Sequence, residues 1–371
     1  MLDIKTNKWL ILLTLITLTN CIHYIKKAKK EYILRVAIIC GVDRVNIGGV
    51  KDRTYYKNVQ ITTNDKFPLY FSKHKGYVFV NGKKYRGNLH IKKIDERIWV
   101  INVLDIEDYL KGVVPCEIGR ISEDIIEAAK AQAVAARTYA YAHLNQHQDL
   151  GFDLYATIQD QVYKDVNCES ELTNRAVEET ERQILTYNGK AIEAKYHSTC
   201  GGKTAYFNDA WPGDPPPYLR SVSCPYCKNS PHFKWKKNFS KGEFFENLRF
   251  RLKRVGYEIP QGELIKNLRL IRNKKSKRII RIIIKTEKEE YVIPGYHTRS
   301  IFGDHKDPGG LLKSNLITIN VKRNHVIIEG KGFGHGVGMC QFGAIEMARQ
   351  GKTYRQILYH YYRGAKLKKI K

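Results

Sequence analysis

The run KGFGHGVGMCQFGAIEMA at residues 331–348 limits the fold more than any other stretch. Glycine occupies every second position from 332 to 338. Such spacing permits tight turns and lets the backbone approach a neighbour or a ligand closely. His335 and Gln341 are its polar groups. The spacing matches neither the dinucleotide fingerprint nor the P-loop, and no Lys-Ser/Thr follows it, so a phosphate cradle is not indicated. A second stretch rich in small residues, GVVPCEIG at 112–119, leads into EAAKAQAVAARTYAYAHL at 127–144. Together the two runs suggest a site where helix ends meet tight turns, with Glu117 as its only obvious acid.

The rest of the chain sets the context. Its 371 residues suggest two to three modules, and 43% hydrophobic content is enough for a buried core. The formal net charge of +27 favours anionic partners. No nucleic-acid reading motif accompanies that charge, so nucleic acid is not the expected partner. Lys5 and Lys8 precede the apolar run WLILLTLITLTNC. A basic start and a short apolar run resemble a secretory signal, and the run falls short of the ~20 residues of a membrane span. Residues 1–22 are therefore expected to direct export to the periplasm or cell envelope, with an uncleaved membrane anchor or lipidation at Cys21 as variants.

The expected fold class is α+β. Residues 32–104 read as a strand-rich N-terminal region, in which Asn81-Gly82 between apolar runs signals a hairpin. Residues 105–232 and 330–371 are read as one helix-bearing body, and 233–329 as a basic inserted subdomain. Ser122 suits a helix N-cap, and Ile125, Ile126, Ala129, Ala133, Ala136 and Ala140 continue at helical spacing. A second helix is expected over 169–183, with a hairpin turn at Asn188-Gly189. Gln132 and Arg137 lie on the Ala-rich helix. One of them is expected to line a cleft and the other to brace the core.

The eight cysteines are unevenly spread. Cys200, Cys224 and Cys227 cluster, whereas Cys40, Cys116, Cys168 and Cys340 are scattered. The C-x-x-C pair with Cys200 and one histidine would close a tetrahedral structural zinc site. His232 is the favoured fourth ligand over His197. A Cys200–Cys227 disulfide and free thiols are the alternatives.

The motifs DYLKGVVPCEIG, EAAKAQAVAARTYA, Gln-Val-Tyr at 161–163, ILTYNGKAIEAKYHSTCGGKT, YLRSV and GFGHGVGMCQFGAIEMARQGKTYRQILYHYY occur here in one order. In that order they resemble the SpoIID/LytB family, named for stage II sporulation protein D. The resemblance implies a SpoIID-type catalytic body acting on peptidoglycan glycan strands stripped of stem peptides. It implies a lytic transglycosylase with Glu117 as catalytic acid, or, from the LytB branch, a glycan binder that enhances an N-acetylmuramoyl-L-alanine amidase. Gln161, Tyr163, His197 and Ser198 fall in family segments and are expected, with Gln132, Arg137, His335 and Gln341, to contact substrate. Such an acid needs a raised pKa. Glu117 is therefore expected just outside a helix, facing a cleft, since a helix N-terminus would lower it.

Overall fold

The computed structural model describes residues 31–304 and 310–370. The expected signal segment and Cys21 lie outside the described residues. No helix among those described is long and apolar enough to cross a membrane. The fold is mixed α+β, with three main hydrophobic cores.

The N-terminal part is two antiparallel-rich sheets. Ile33–Val42 pairs with Arg97–Asp105, which pairs in turn with Asn88–Ile94. A second sheet holds Thr54–Thr62, Arg44–Lys51, Tyr77–Val80 and Lys83–Arg86. Val45, Ile47, Phe71, Val78, Ile91 and Val100 are buried between the layers. Asn81 and Gly82 both adopt positive φ, as a tight two-residue hairpin of this twist requires. Asn188 and Gly189 do the same between Gln183–Tyr187 and Lys190–Ala191.

Strand Arg97–Asp105 runs directly into helix α1, Ile106–Ile118. The carboxylate of Asp105 caps it by accepting from the Glu107 N–H at 2.8 Å. Nothing in the local sequence advertises this helix, because Gly112 and Pro115 lower its propensity. Both have a reason to be there. A Cβ at Gly112 would sit 2.5 Å from the Tyr163 ring, so glycine makes room for that ring. Pro115 falls in the last turn, so the one ladder bond that its missing N–H removes lies at the end of the helix.

After a turn of 3-10 helix at Glu123–Ile125 comes α2, Ile126–Ala142. The helix thus starts later than Ser122, whose side chain bonds to Asp124 and caps no N–H. Seven alanines of α2 are fully buried. Their small side chains let α2 pack on α1, α3 (Glu171–Glu179) and the two C-terminal helices described below.

Residues 235–330 have a core of their own. Helix α4, Lys241–Lys253, packs with Phe239, Ile282, Ile293, Phe302 and Ile328. Two three-stranded sheets and the single-turn helix α5, Thr298–Ile301, complete it. The chain then returns to the main body as α6, Gln341–Arg349, and α7, Tyr354–Tyr361.

Candidate functional site

Two distant segments meet through a short parallel ladder in which Tyr196 pairs with Met339 and His197 with Cys340. The alternating glycines make the approach fit. Gly332, Gly334, Gly336 and Gly338 all have positive φ, between 73° and 104°. A Cβ at Gly334 would lie 2.9 Å from His197 Cβ. The glycine run therefore serves a backbone-to-backbone packing need.

This ladder brings Tyr196 and Gln341 to Glu117. Glu117 lies in the last turn of α1, inside the helix and at its C-terminal end, which corrects the expectation that it stands outside one. The negative end of the helix dipole works in the same direction as burial. The Glu117 carboxyl is raised above its usual range, mainly by desolvation. The Val162 N–H, the Gln341 amide and the Tyr196 hydroxyl oppose that shift by hydrogen-bonding to the carboxylate. Val162 N donates to Oε1 at 2.8 Å, and Gln341 Nε2 reaches Oε2 at 3.4 Å. Among the described residues no second carboxylate perturbs Glu117.

Gln132 stands behind this group. It is fully buried, and its Oε1 accepts from Gln341 Nε2 at 3.4 Å. Gln161 is buried as well and orients Tyr196, donating from Nε2 to the Tyr196 hydroxyl at 2.9 Å. Its Oε1 accepts from the Tyr109 hydroxyl. Gln132 and Gln161 therefore buttress the acid from behind.

Two of the expected substrate contacts lie in the core. Arg137 is fully buried and forms a two-pronged pair with Glu107, at 2.8 and 2.7 Å, while donating to the carbonyls of Val177 and Gln183. It holds α1, α2 and α3 together. Arg137→Gln is expected to cost about 3–5 kcal/mol of stability by leaving buried partners unpaired. Thermal unfolding should register that loss. Tyr163 donates to Asn102 Oδ1 at 2.8 Å beneath α1, a structural bond.

His197 and His335 form a separate group whose rings are 5.5 Å apart. His197 alternates with Tyr196 along the ladder and is buried on the opposite face, contrary to the expectation that it faces the cleft. Burial pushes its pKa down to about 3, with the Arg278 charge assisting. Its Nδ1 donates to the Val337 carbonyl at 3.0 Å, which leaves Nε2 unprotonated and without a partner. His335 Nδ1 accepts from the Val337 N–H, so that imidazole carries its proton on Nε2. His335 packs against Trp211 with ring centres 4.7 Å apart and planes tilted by 50°, and Lys195 Nζ lies over the Trp211 and Tyr139 rings. Ser198 is half-buried beside Thr199.

Cys200, Cys224, Cys227 and Cys340 are all buried, and their sulfurs lie within 4.8 Å of one another. A tetrahedral zinc with ~2.3 Å bonds separates its sulfurs by about 3.8 Å, so the set suits one. Backbone N–H groups of Cys200 and Gly343 point at Cys340 Sγ, at 3.3 and 3.4 Å, as they would toward a thiolate. The cluster could hold a metal ion. Its fourth member is Cys340, not His232, because the ladder pairing His197 with Cys340 carries that thiol to Cys200. His232 instead packs its ring against Phe333.

Four residues of this region escaped the sequence reading: Tyr196, Trp211, Lys195 and the role of Cys340. The HST and GMC segments are adjacent only through the ladder, so no local spacing reveals it.

Residues 94–187 match the family model described as Stage II sporulation protein, and residues 226–338 match a domain of unknown function. An uncharacterized protein of Brachyspira hyodysenteriae is 34% identical over 86% of this chain and 78% of its own length. Stage II sporulation protein D of Bacillus subtilis is 31% identical over 71% of this chain and 74% of its own. The amidase enhancer of the same organism is 27% identical over 70% of this chain but only 40% of its own length.

Proposed function

This chain belongs to the SpoIID family, and on that premise we propose that it is an exported peptidoglycan lytic transglycosylase with Glu117 as its acid and then its base. The observation that carries the reading is a desolvated carboxyl with a raised pKa at the meeting point of the family's motifs, with no second carboxylate among the causes of its shift. Ordinary glycosidases place two carboxylates about 5–9.5 Å apart. A single carboxyl suits a reaction that consumes no water.

In that reaction protonated Glu117 donates to the glycosidic oxygen as the bond to the muramoyl anomeric carbon breaks. The carboxylate then takes the proton of the muramoyl hydroxymethyl group, whose oxygen closes onto the same carbon. Glu117 ends protonated as it began, and an anhydro-muramoyl end forms. The Val162 N–H and Gln341 amide hold the carboxylate through the interval in which it is charged. The partly exposed Trp211 ring offers a face on which a sugar can lie.

We assign a structural zinc to Cys200, Cys224, Cys227 and Cys340. Four protein sulfurs close the coordination sphere, so the ion would supply rigidity, fastening the two segments that carry Tyr196 and Gln341.

The relative named amidase enhancer favours a second reading, a glycan binder that assists an N-acetylmuramoyl-L-alanine amidase. Mass spectrometry of peptide-stripped glycan after incubation with the protein separates the two. Anhydro-muramoyl ends are expected. Reducing ends would mean hydrolysis and overturn the single-acid mechanism. Glycan bound but uncut would favour the enhancer.

A further inference from the structure

Where the insert meets the main body, a cleft of about 880 Å³ opens beside the two segments that form the ladder. Gly201, Gly202 and Lys203 follow the HSTC motif into its wall, and Gly330 and Lys331 enter it just before the glycine run. The facing wall is insert: Lys234 and Lys236 on either side of Trp235 where a strand begins, Lys275 and Lys277 between two strands. Glu329 is the only acid lining the cleft. Residues 233–329 as a whole carry 23 Lys and Arg against 10 Asp and Glu. Other lysines of the insert have carboxylate partners: Lys253 binds Glu258 and Lys266 binds Glu287. No ion pair involves the six cleft lysines among the described residues. An unneutralised row of cations in a concave wall focuses an attractive potential on an extended anion.

The donor types narrow the anion. Arginine forks hold carboxylate and phosphate alike in a bidentate grip, whereas lysine offers point charges, a mode well established for phosphate. The one arginine here, Arg272, already donates to the carbonyls of Lys277 and Ile317. Lys234 and Lys236 flank Trp235, which packs inward on Gly330 while both lysines are exposed, so two charges stand two residues apart along the chain. That spacing suits a chain with repeated charges better than a single ion. Nucleic acid is disfavoured, because single-strand binders interleave exposed aromatic faces on which bases stack. The only aromatic ring in this cleft is Trp235, which packs against Gly330 and donates from Nε1 to the Gly332 carbonyl at 2.8 Å.

We propose that this cleft binds a base-free phosphodiester polymer, of the polyol-phosphate kind, and that the insert thereby seats the protein on an anionic envelope. The inference stands apart from the glycan chemistry and survives if that reading fails.

The probe is end-labelled poly(glycerol phosphate), followed by fluorescence anisotropy between 50 and 200 mM salt. The test variant carries Lys234→Gln, Lys236→Gln, Lys275→Gln and Lys277→Gln, all at exposed positions. A control removes four exposed lysines elsewhere, Lys57, Lys66, Lys73 and Lys75, by the same substitution. The cleft variant should bind more than about tenfold more weakly at 150 mM salt, and its salt slope should fall by about three. The control should bind as the native chain does, and both variants should keep native glycan cleavage. Equal losses in both variants would reduce the effect to bulk charge and overturn the proposal. So would an absence of native binding at 150 mM salt. Tighter binding of a single-stranded oligonucleotide or of polyglutamate, lost in the same variant, would replace the occupant.

Discussion

Glu117→Gln is expected to reduce glycan cleavage by about 10²–10⁴-fold, the usual worth of a positioned acid–base group, while making the folded protein more stable at neutral pH. The two effects share one cause. Burial raises the Glu117 pKa despite three hydrogen bonds to the carboxylate. Between the unfolded value, near 4.3, and the raised folded value, the folded chain holds a proton that the unfolded chain has released. Stability therefore falls as pH rises through that window, and the full penalty persists above it. Glutamine keeps the shape and can still accept from the Val162 N–H, but it never ionises. The stability gain of the variant should grow as pH rises through the window and vanish below about pH 4. Cleavage by the native chain should decline above the folded pKa, as the acid form is lost. A thermal melt series over pH, beside anhydro-end counts, tests both halves. A variant that keeps native cleavage sinks the assignment of the acid. One with no pH-dependent gain in stability sinks the claim that the site holds its carboxyl strained.

How much of this could be read beforehand depended on whether the information was local. Asn81-Gly82 and Asn188-Gly189 were legible because a two-residue turn needs positive φ at those residues alone. The buried face of α2 was legible from its alanine spacing. Helix α1 was not, because Gly112 and Pro115 answer to Tyr163 and to the helix end rather than to helix propensity. The same helix decides the setting of Glu117, so the dipole argument was framed around the wrong terminus. Arg137 shows a further limit. An arginine in a motif can face a ligand or bind a carboxylate on another helix thirty residues away, and only the position of Glu107 decides.

Cys340 carries the second large expectation. The purified protein should contain about one zinc per chain. Cys340→Ser or Cys227→Ser should lose it, whereas His232→Ala should keep it. Removing the ion with a chelator should lower Tm by about 10 °C or more, since a structural zinc contributes directly to folding free energy. The separate N-terminal core and the core of the insert, which contain none of these cysteines, should limit the collapse to the main body. The pattern of loss discriminates sharply. A Cys200–Cys227 disulfide would give metal-free protein two hydrogens lighter than the reduced chain, and Cys340→Ser would then leave Tm almost unmoved. Cysteine 340 also precedes Gln341, and Cys200 lies four residues beyond Tyr196. Both side-chain partners of the Glu117 carboxylate thus hang from one cluster. Loss of the ion should therefore weaken cleavage even at temperatures where the chain stays folded, because Tyr196 and Gln341 would no longer be held against the acid. Zinc content and residual cleavage, measured together along a chelator titration, should fall in step. Cleavage that persists at zero zinc would separate the cluster from the site and leave it a fastening of the core alone.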